Sequence, residues 1–279
     1  MLVGVIIFAG VCVLTYPTAG NWFTDLAHGS EVSGYVSHVE GTPTDELADQ
    51  LDDARAYNAN LPAGPLRDPY ILNASGEAVS LEEDRADYLG QLALAPGSPM
   101  ARIRIPSIRA DLPIFHGTDD DVLRKGVGHL HGSALPVGGE GTHSVLTGHS
   151  GLPEATLFTR LHELTEGDLF YIDVAGERLA YRVDRIVTVE PNDGEELRQT
   201  AGRDYVTLLT CTPIGVNSHR LLVRGERIDD DSAEAAISSL PSEPASPGFP
   251  WWTLALAGGA AVSGTIAWPR RPKPAPAAA

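Results

Sequence analysis

The sequence predicts an all-β protein with short helices, carried between two apolar ends, and three observations point there. Glycine (29) and proline (21) are abundant, which favours a loop-rich β protein over a helical bundle, a coiled coil or a solenoid. After Met100, short runs rich in β-branched and aromatic residues recur between Gly/Pro turns. Uncharged apolar stretches stand near both termini. A chain of 279 residues holds one large domain or two small ones, and 43% hydrophobic residues are enough for a sizeable core and too many for a disordered chain. The formal net charge is −17 with no basic stripe, which excludes a phosphate-neutralising surface and hence a nucleic-acid partner.

The first element is the apolar run Leu2–Thr15, followed by Tyr16, Pro17 and Trp22, ring systems suited to a headgroup boundary. It reads as an N-terminal transmembrane segment over 1–23. The run itself is shorter than the roughly 20 residues a bilayer crossing needs, and it lacks a basic n-region. A signal peptide cleaved near Ala19-Gly20 and a buried core helix are the alternatives. At the other end Trp251–Trp268 is uncharged, has an indole at each end and is followed by Arg270, Arg271 and Lys273, the pattern of aromatic belt and positive-inside flank. Its Ala, Gly, Ser and Thr suit close packing of a C-terminal transmembrane helix, 251–268, against the first. The remainder, 269–279, reads as a cytoplasmic Pro/Ala tail. Removing its three cations leaves −20 on the middle, which two such spans would place outside the cytoplasm. The bilayer is thus an expected partner.

Between the ends, Thr44–Asn60 repeats Leu47, Leu51, Ala54 and Asn58 at helical spacing, with Thr44 as the expected N-cap of a short amphipathic helix. Leu61–Gly97 has little periodicity and carries Pro62, Pro65 and Pro69; such long irregular stretches are commonly functional. Residues 24–99 therefore form an N-terminal helix and cover region. Seven strands follow: 102–106, 110–114, 144–147, 169–174, 179–189, 205–211 and 220–225, with a hairpin turn at Val174–Arg178. Seven short strands separated by turns make a barrel or sandwich, here over 100–228. An acidic and Pro/Ser linker occupies 229–250.

Cys12 lies in the apolar run, so the folded part holds a single thiol, Cys211, at the end of the β run Tyr205–Thr210. A lone thiol outside the cytoplasm invites the reading of a reactive group; a buried inert cysteine is the alternative. A nucleophile needs a proton carrier and a positive group for the developing oxyanion. His149, in a Gly-flanked turn just past a strand, and Arg220, opening the strand after the Cys211 loop, can supply them.

These residues resemble a known family. Thr207-Leu208-Leu209-Thr210-Cys211 is similar to the TLxTC signature of sortases, Thr147-Gly148-His149 to their histidine motif, and His219–Gly225 to their arginine strand. The details resemble class C, the pilin-polymerising sortases, which carry a second membrane span and a lid with an Asp-Pro-aromatic motif. Asp68, Pro69 and Tyr70 match that motif, with Tyr70 where Phe or Trp is more usual. The resemblance implies a closed eight-stranded β-barrel in a membrane-anchored cysteine transpeptidase of a Gram-positive cell surface. It implies cleavage of an LPXTG-like sorting signal between Thr and Gly by Cys211, with His149 moving the proton and Arg220 holding the oxyanion. The acyl group would pass to a lysine amine of another pilin subunit; Thr207, Leu208 and Thr210 would border the substrate, and Asp68 and Tyr70 would cover Arg220 and Cys211. No cofactor or metal is implied.

Rival readings attach to the same residues. A housekeeping sortase attaching proteins to a cell-wall precursor would share the three motifs, and a surface binding domain would carry Cys211 as inert. An L,D-transpeptidase-like enzyme would want a histidine just before the cysteine, and Tyr205–Thr210 has none. His129 and His131, two apart and near His143 and His149, are read as turn residues in Gly-rich surroundings rather than metal ligands, and Asp119–Asp121 and Asp229–Asp231 as solvated acidic turns.

Overall fold

In the computed structural model the described residues are 2–61, 85–191, 193–229 and, with gaps, 237–267. The eight strands are β1 (Ala101–Ile105), β2 (Ala110–His116), β3 (Val127–His129), β4 (Thr142–Thr147), β5 (Leu169–Val174), β6 (Glu177–Val189), β7 (Asp204–Thr212) and β8 (His219–Ile228). They close into a barrel in the order β1-β2-β3-β4-β7-β8-β6-β5. Seven are the runs of alternating sequence. The eighth, β3, is only three residues with a central glycine, too short to show a period. It exists because it pairs parallel to β2 and antiparallel to β4, closing the wall between them.

Alternation sorts the wall into two faces. Leu146, Val206, Leu208, Leu221 and Val223 fill the barrel with Phe170 and Tyr181, whose rings stack at 5.4 Å. Their neighbours Val145, Leu209 and Leu222 face outward, where Leu197 from the β6–β7 connection covers them in a second apolar cluster. On the β1–β5 side the buried Arg102 is held by both oxygens of Asp111 at 2.6 Å, and Arg104 and Arg178 share Asp173. The β5–β6 hairpin turns through Ala175 (φ 43°) and Gly176 (φ 83°), as the sequence predicts.

Among the described residues the α-helices are α1 (Leu2–Gly41), α2 (Thr44–Ala59), α3 (Arg85–Gly90), α4 (Asp120–Lys125) and α5 (Trp252–Ala267). The four positions picked by helical spacing in α2 are its buried ones, and Asn58 exchanges two hydrogen bonds with the Leu135 backbone. The N-cap differs from expectation. Pro43 holds that position and Thr44 is already helical, because the fixed extended proline ends the preceding turn.

α1 differs more. The boundary expected at residue 23 falls inside one continuous helix of 40 residues with Pro17 within it. It is long and apolar enough to cross a membrane, with a mean hydropathy of 2.1 over its most apolar stretch. At 1.5 Å per residue it is about 60 Å long, so its first half is free of the barrel while its second half lies along it. α5, 16 residues and apolar, packs back against the first half. A β-carbon on Gly4 would lie 2.9 Å from the Ser263 carbonyl oxygen, and one on Gly259 3.1 Å from Val11. Small residues permit this close approach. Trp22, Phe23 and Trp252 cluster where the pair reaches the barrel, with centroids 5.1–6.3 Å apart.

Candidate active site

Strand register brings together the three residues singled out by the sequence. β4 and β7 run parallel with Thr147 opposite Leu209; two residues further on each chain stand His149 and Cys211. β7 and β8 run antiparallel with Cys211 opposite Arg220. His149, Cys211 and Arg220 thus occupy one row across three adjacent strand ends. By alternation Cys211 shares the outer face with Leu209, and Arg220 with Leu222. Cys211 is 8% exposed and Arg220 7%, so thiol and guanidinium lie in a largely desolvated mouth.

The backbone around His149 is tied from several sides. Thr210 Oγ1 donates to the Gly148 carbonyl at 2.6 Å, Ser150 Oγ donates to the Cys211 carbonyl at 2.6 Å, and Gly148 N donates to Leu209 O at 3.1 Å. Phe158 N donates to His149 O at 3.0 Å. Only glycine fits at 148, since a β-carbon there would stand 2.7 Å from the Phe158 ring. A cavity of about 260 Å³ opens beside Cys211, lined among others by Ser150, Phe158, Thr159, Thr210 and Ile214. Arg220 Nη1 donates to the carbonyls of Asn217 and His219, which turns the guanidinium back toward the β7–β8 loop.

His149 titrates below an ordinary histidine. Burial is the main cause; the Asp120 carboxylate, 3.8 Å from Nε2, pulls the other way, and Arg124 adds to the lowering. The imidazole is therefore largely neutral at pH 7.

The TLxTC threonines take places the sequence did not foresee. Thr207 is 1% exposed and its Oγ1 is 2.7 Å from His143 Nε2 on the outer face; Leu208 is fully buried inside the barrel. Of Thr207, Leu208 and Thr210, only Thr210 borders the cavity, and its hydroxyl is committed to Gly148. His143 and the fully buried His129 bond backbone carbonyls, of Arg198 at 2.9 Å and Ala134 at 2.8 Å, and burial pushes His129 down to about 3. Both serve the wall. The acidic run Asp119–Asp121 is no free turn: it opens α4, where negative charge suits the helix start, and it brings Asp120 to His149. Ser150, Phe158 and Asp120 were missed as site residues, and only the adjacency of Ser150 to His149 gave any signal. Asp68, Pro69 and Tyr70 lie outside the described residues.

Comparison with known proteins agrees with the motifs. Residues 103–228 match the sortase domain. Sortase D of Bacillus subtilis (strain 168) is 32% identical over 148 residues, spanning 52% of this chain and 72% of the relative. The chain belongs to the sortase family. Among solved structures, sortase C-1 from Actinomyces oris superposes with a TM-score of 0.62 at 48% identity, over 66% of this chain and 99% of that one. Sortase C of Streptococcus pneumoniae does so with a TM-score of 0.62 at 42% identity, over 71% and 96%. This sortase therefore sits with class C, its barrel is of sortase type, and it is a cysteine transpeptidase.

Proposed function

We propose that this sortase joins pilin subunits: it cleaves an LPXTG-like sorting signal between Thr and Gly and transfers the new acyl group to a lysine amine of another subunit. The observation that supports the reading most is the single row of His149, Cys211 and Arg220 across β4, β7 and β8. In this assignment Cys211 attacks the threonine carbonyl, and neutral His149 accepts the thiol proton. Arg220 faces the oxygen that becomes negative, in surroundings dry enough for one guanidinium to matter. Collapse of the tetrahedral intermediate expels the glycine amine, which takes the proton from His149 and leaves a thioester on Cys211. A lysine amine then attacks the thioester and gives its proton to His149, which passes it to the departing Cys211 sulfur, so the cycle closes with an isopeptide bond, a free thiol and a neutral imidazole.

We assign α1 as a membrane anchor on its length and hydropathy, and α5, which lies against it, as the second membrane segment, with the barrel outside the cytoplasm. At 16 residues α5 spans about 24 Å by itself, short of a full hydrocarbon core of about 30 Å. Trp251 stands just before it, and the sequence beyond carries Arg270, Arg271 and Lys273, a composition that suits a membrane flank. The Asp68-Pro69-Tyr70 motif is kept as a lid from the class C resemblance. Replacing Asp68 and Tyr70 by Ala should speed alkylation of Cys211, and an unchanged rate would sink that part.

Intact-mass spectrometry of the full chain in detergent tests the chemistry. With an LPXTG-type peptide the chain should gain the mass of the peptide cleaved after Thr, and Cys211→Ala should gain nothing. Adding a pilin domain with its lysine should discharge the adduct onto that lysine. Discharge only by a cell-wall precursor amine would turn the reading to a housekeeping sortase.

A further inference from the structure

α1 serves as a ruler along the barrel. Near its middle it touches the loop that follows His149: Thr24 Oγ1 donates to the Glu154 carbonyl at 2.7 Å, and a β-carbon on Gly20 would stand 2.8 Å from the Glu154 β-carbon. Near its end it touches the β5–β6 hairpin, where the Tyr35 hydroxyl accepts from Ala175 N at 2.9 Å and a β-carbon on Gly176 would be 3.9 Å from Val39. That hairpin lies at the opposite end of the barrel from the site, because β6 begins there and ends at Val189, opposite Arg220. Thr24 and Tyr35 are 11 residues apart, or about 16 Å of helix. The barrel therefore stands alongside α1 with its site end toward the apolar half of the helix.

The level of the site on that ruler is marked by aromatics. Trp22, Phe23 and Trp252 cluster beside the Gly20–Thr24 contact, and the Trp22 indole donates to Gly248 O at 2.9 Å. Such a belt sits at the headgroup region. The Glu154 loop in turn interlocks with the β7–β8 loop: Gly151 has φ 75°, and a β-carbon on it would meet Ile214 at 2.3 Å. The β7–β8 loop, Pro213–Ser218, has no charge, is closed by bonds from Val216 N and Asn217 N to the Pro213 carbonyl, and exposes Ile214 (49%) and Val216 (69%). Two exposed apolar side chains alone are ordinary on a protein surface. What sets these apart is the run of contacts that joins their loop, through Gly151 and the Glu154 loop, to the Gly20–Thr24 stretch of α1 beside the aromatic belt.

We propose that the site end of the barrel rests on the bilayer surface and that the β7–β8 loop contacts lipid through Ile214 and Val216. The inference rests on reading α1 as a membrane anchor. Its consequence is positional: the thiol opens at the headgroup level, where it meets substrates tethered in the same bilayer, and the far end of the barrel points away.

Site-directed fluorescence of the full chain in phosphatidylcholine–phosphatidylglycerol vesicles tests this. An environment-sensitive label is placed at Val216→Cys or at Glu140→Cys, each with Cys12→Ser and Cys211→Ala; Glu140 is exposed next to the start of β4, at the far end. A third sample carries the label on Cys12 with Cys211→Ala. The 216 label should emit to the blue and lose most of its emission to lipids bearing a nitroxide high on the acyl chain, and the 140 label should do neither. Strong quenching at Cys12 with none at 216 would overturn the lipid contact and leave the anchor standing. No quenching at Cys12 would overturn both. A blue shift at 216 that appears only with sorting peptide would assign the loop to substrate and also overturn the proposal.

Discussion

The two ends of the β4–β7–β8 wall are built from the same strands and settle their polar groups differently. At the far end, around a cavity of about 400 Å³, charge meets charge: Arg55 with Glu177 at 3.0 Å, Arg227 with Asp229 at 2.9 Å, and Arg203 with Glu226. Asp204, its carboxyl pushed up mainly by burial, accepts from the Tyr181 hydroxyl at 3.2 Å and Gly139 N at 2.9 Å. At the site end, hydroxyls meet backbone carbonyls: Thr210 with Gly148 and Ser150 with Cys211. The far end sets its arginines against carboxylates. The site end ties its backbone with side-chain hydroxyls and sets His149, Cys211 and Arg220 in one row, so one sheet settles its two ends by different means.

Equivalent arginine changes should separate the ends most sharply. Under the proposed assignment Arg220→Lys removes a planar donor from a desolvated site, and kcat/KM for a sorting peptide should fall about 10²–10³-fold. Arg203→Lys, at an exposed ion pair, should leave kcat/KM and the melting temperature unchanged. A steady-state assay on both variants decides; equal losses would mean the row at the site end has no special standing.

Hydroxyl deletions give a smaller contrast. Thr210→Val leaves the Gly148 carbonyl without its hydroxyl donor in a buried place, and should cost about 1–3 kcal/mol of stability together with activity, because the His149 turn loosens. Tyr181→Phe removes the bond to Asp204 at the far end and should lower the melting temperature while sparing kcat. If Thr210→Val lowers stability but leaves kcat intact, the bond to Gly148 does not position His149.

Much of this was legible in the sequence, for reasons that differ by element. Seven strands showed themselves by alternation, and α2 by the spacing of Leu47, Leu51, Ala54 and Asn58, since one buried face writes its period into the chain. β3 did not, because three residues have no period and its pairing with β2 and β4 is a tertiary fact. The row of His149, Cys211 and Arg220 was approachable because each ends or begins a readable strand next to a glycine or proline turn. Thr207 and Leu208 were readable as a motif but not as to side: alternation places one on His143 and the other in the core, and only the barrel says which face the cavity shares. Asp120 was hidden by its own neighbours. Three aspartates in a row look like a solvated turn, and nothing in the local sequence tells that α4 lies against the His149 turn.

The finest test concerns that carboxylate. Asp120 lies 3.8 Å from His149 Nε2 and is mostly exposed, with its other oxygen 2.7 Å from Arg124. In the proposed mechanism His149 must be neutral to accept the thiol proton, so the rate falls as pH drops through its pKa, which burial already holds below the ordinary histidine value. The Asp120 charge stabilises the imidazolium and so opposes burial. Asp120→Asn removes that support, the pKa of His149 falls further, and the acid limb of the kcat/KM profile should move to lower pH. Because Asp120 is mostly exposed, the movement is small, and added salt should reproduce part of it in the parent chain by screening the carboxylate. The same substitution at the far end, Asp204→Asn, should leave the limb where it is. A limb unmoved by both Asp120→Asn and salt would mean that burial alone sets His149, and that the reach of α4 to the site end has no bearing on proton transfer.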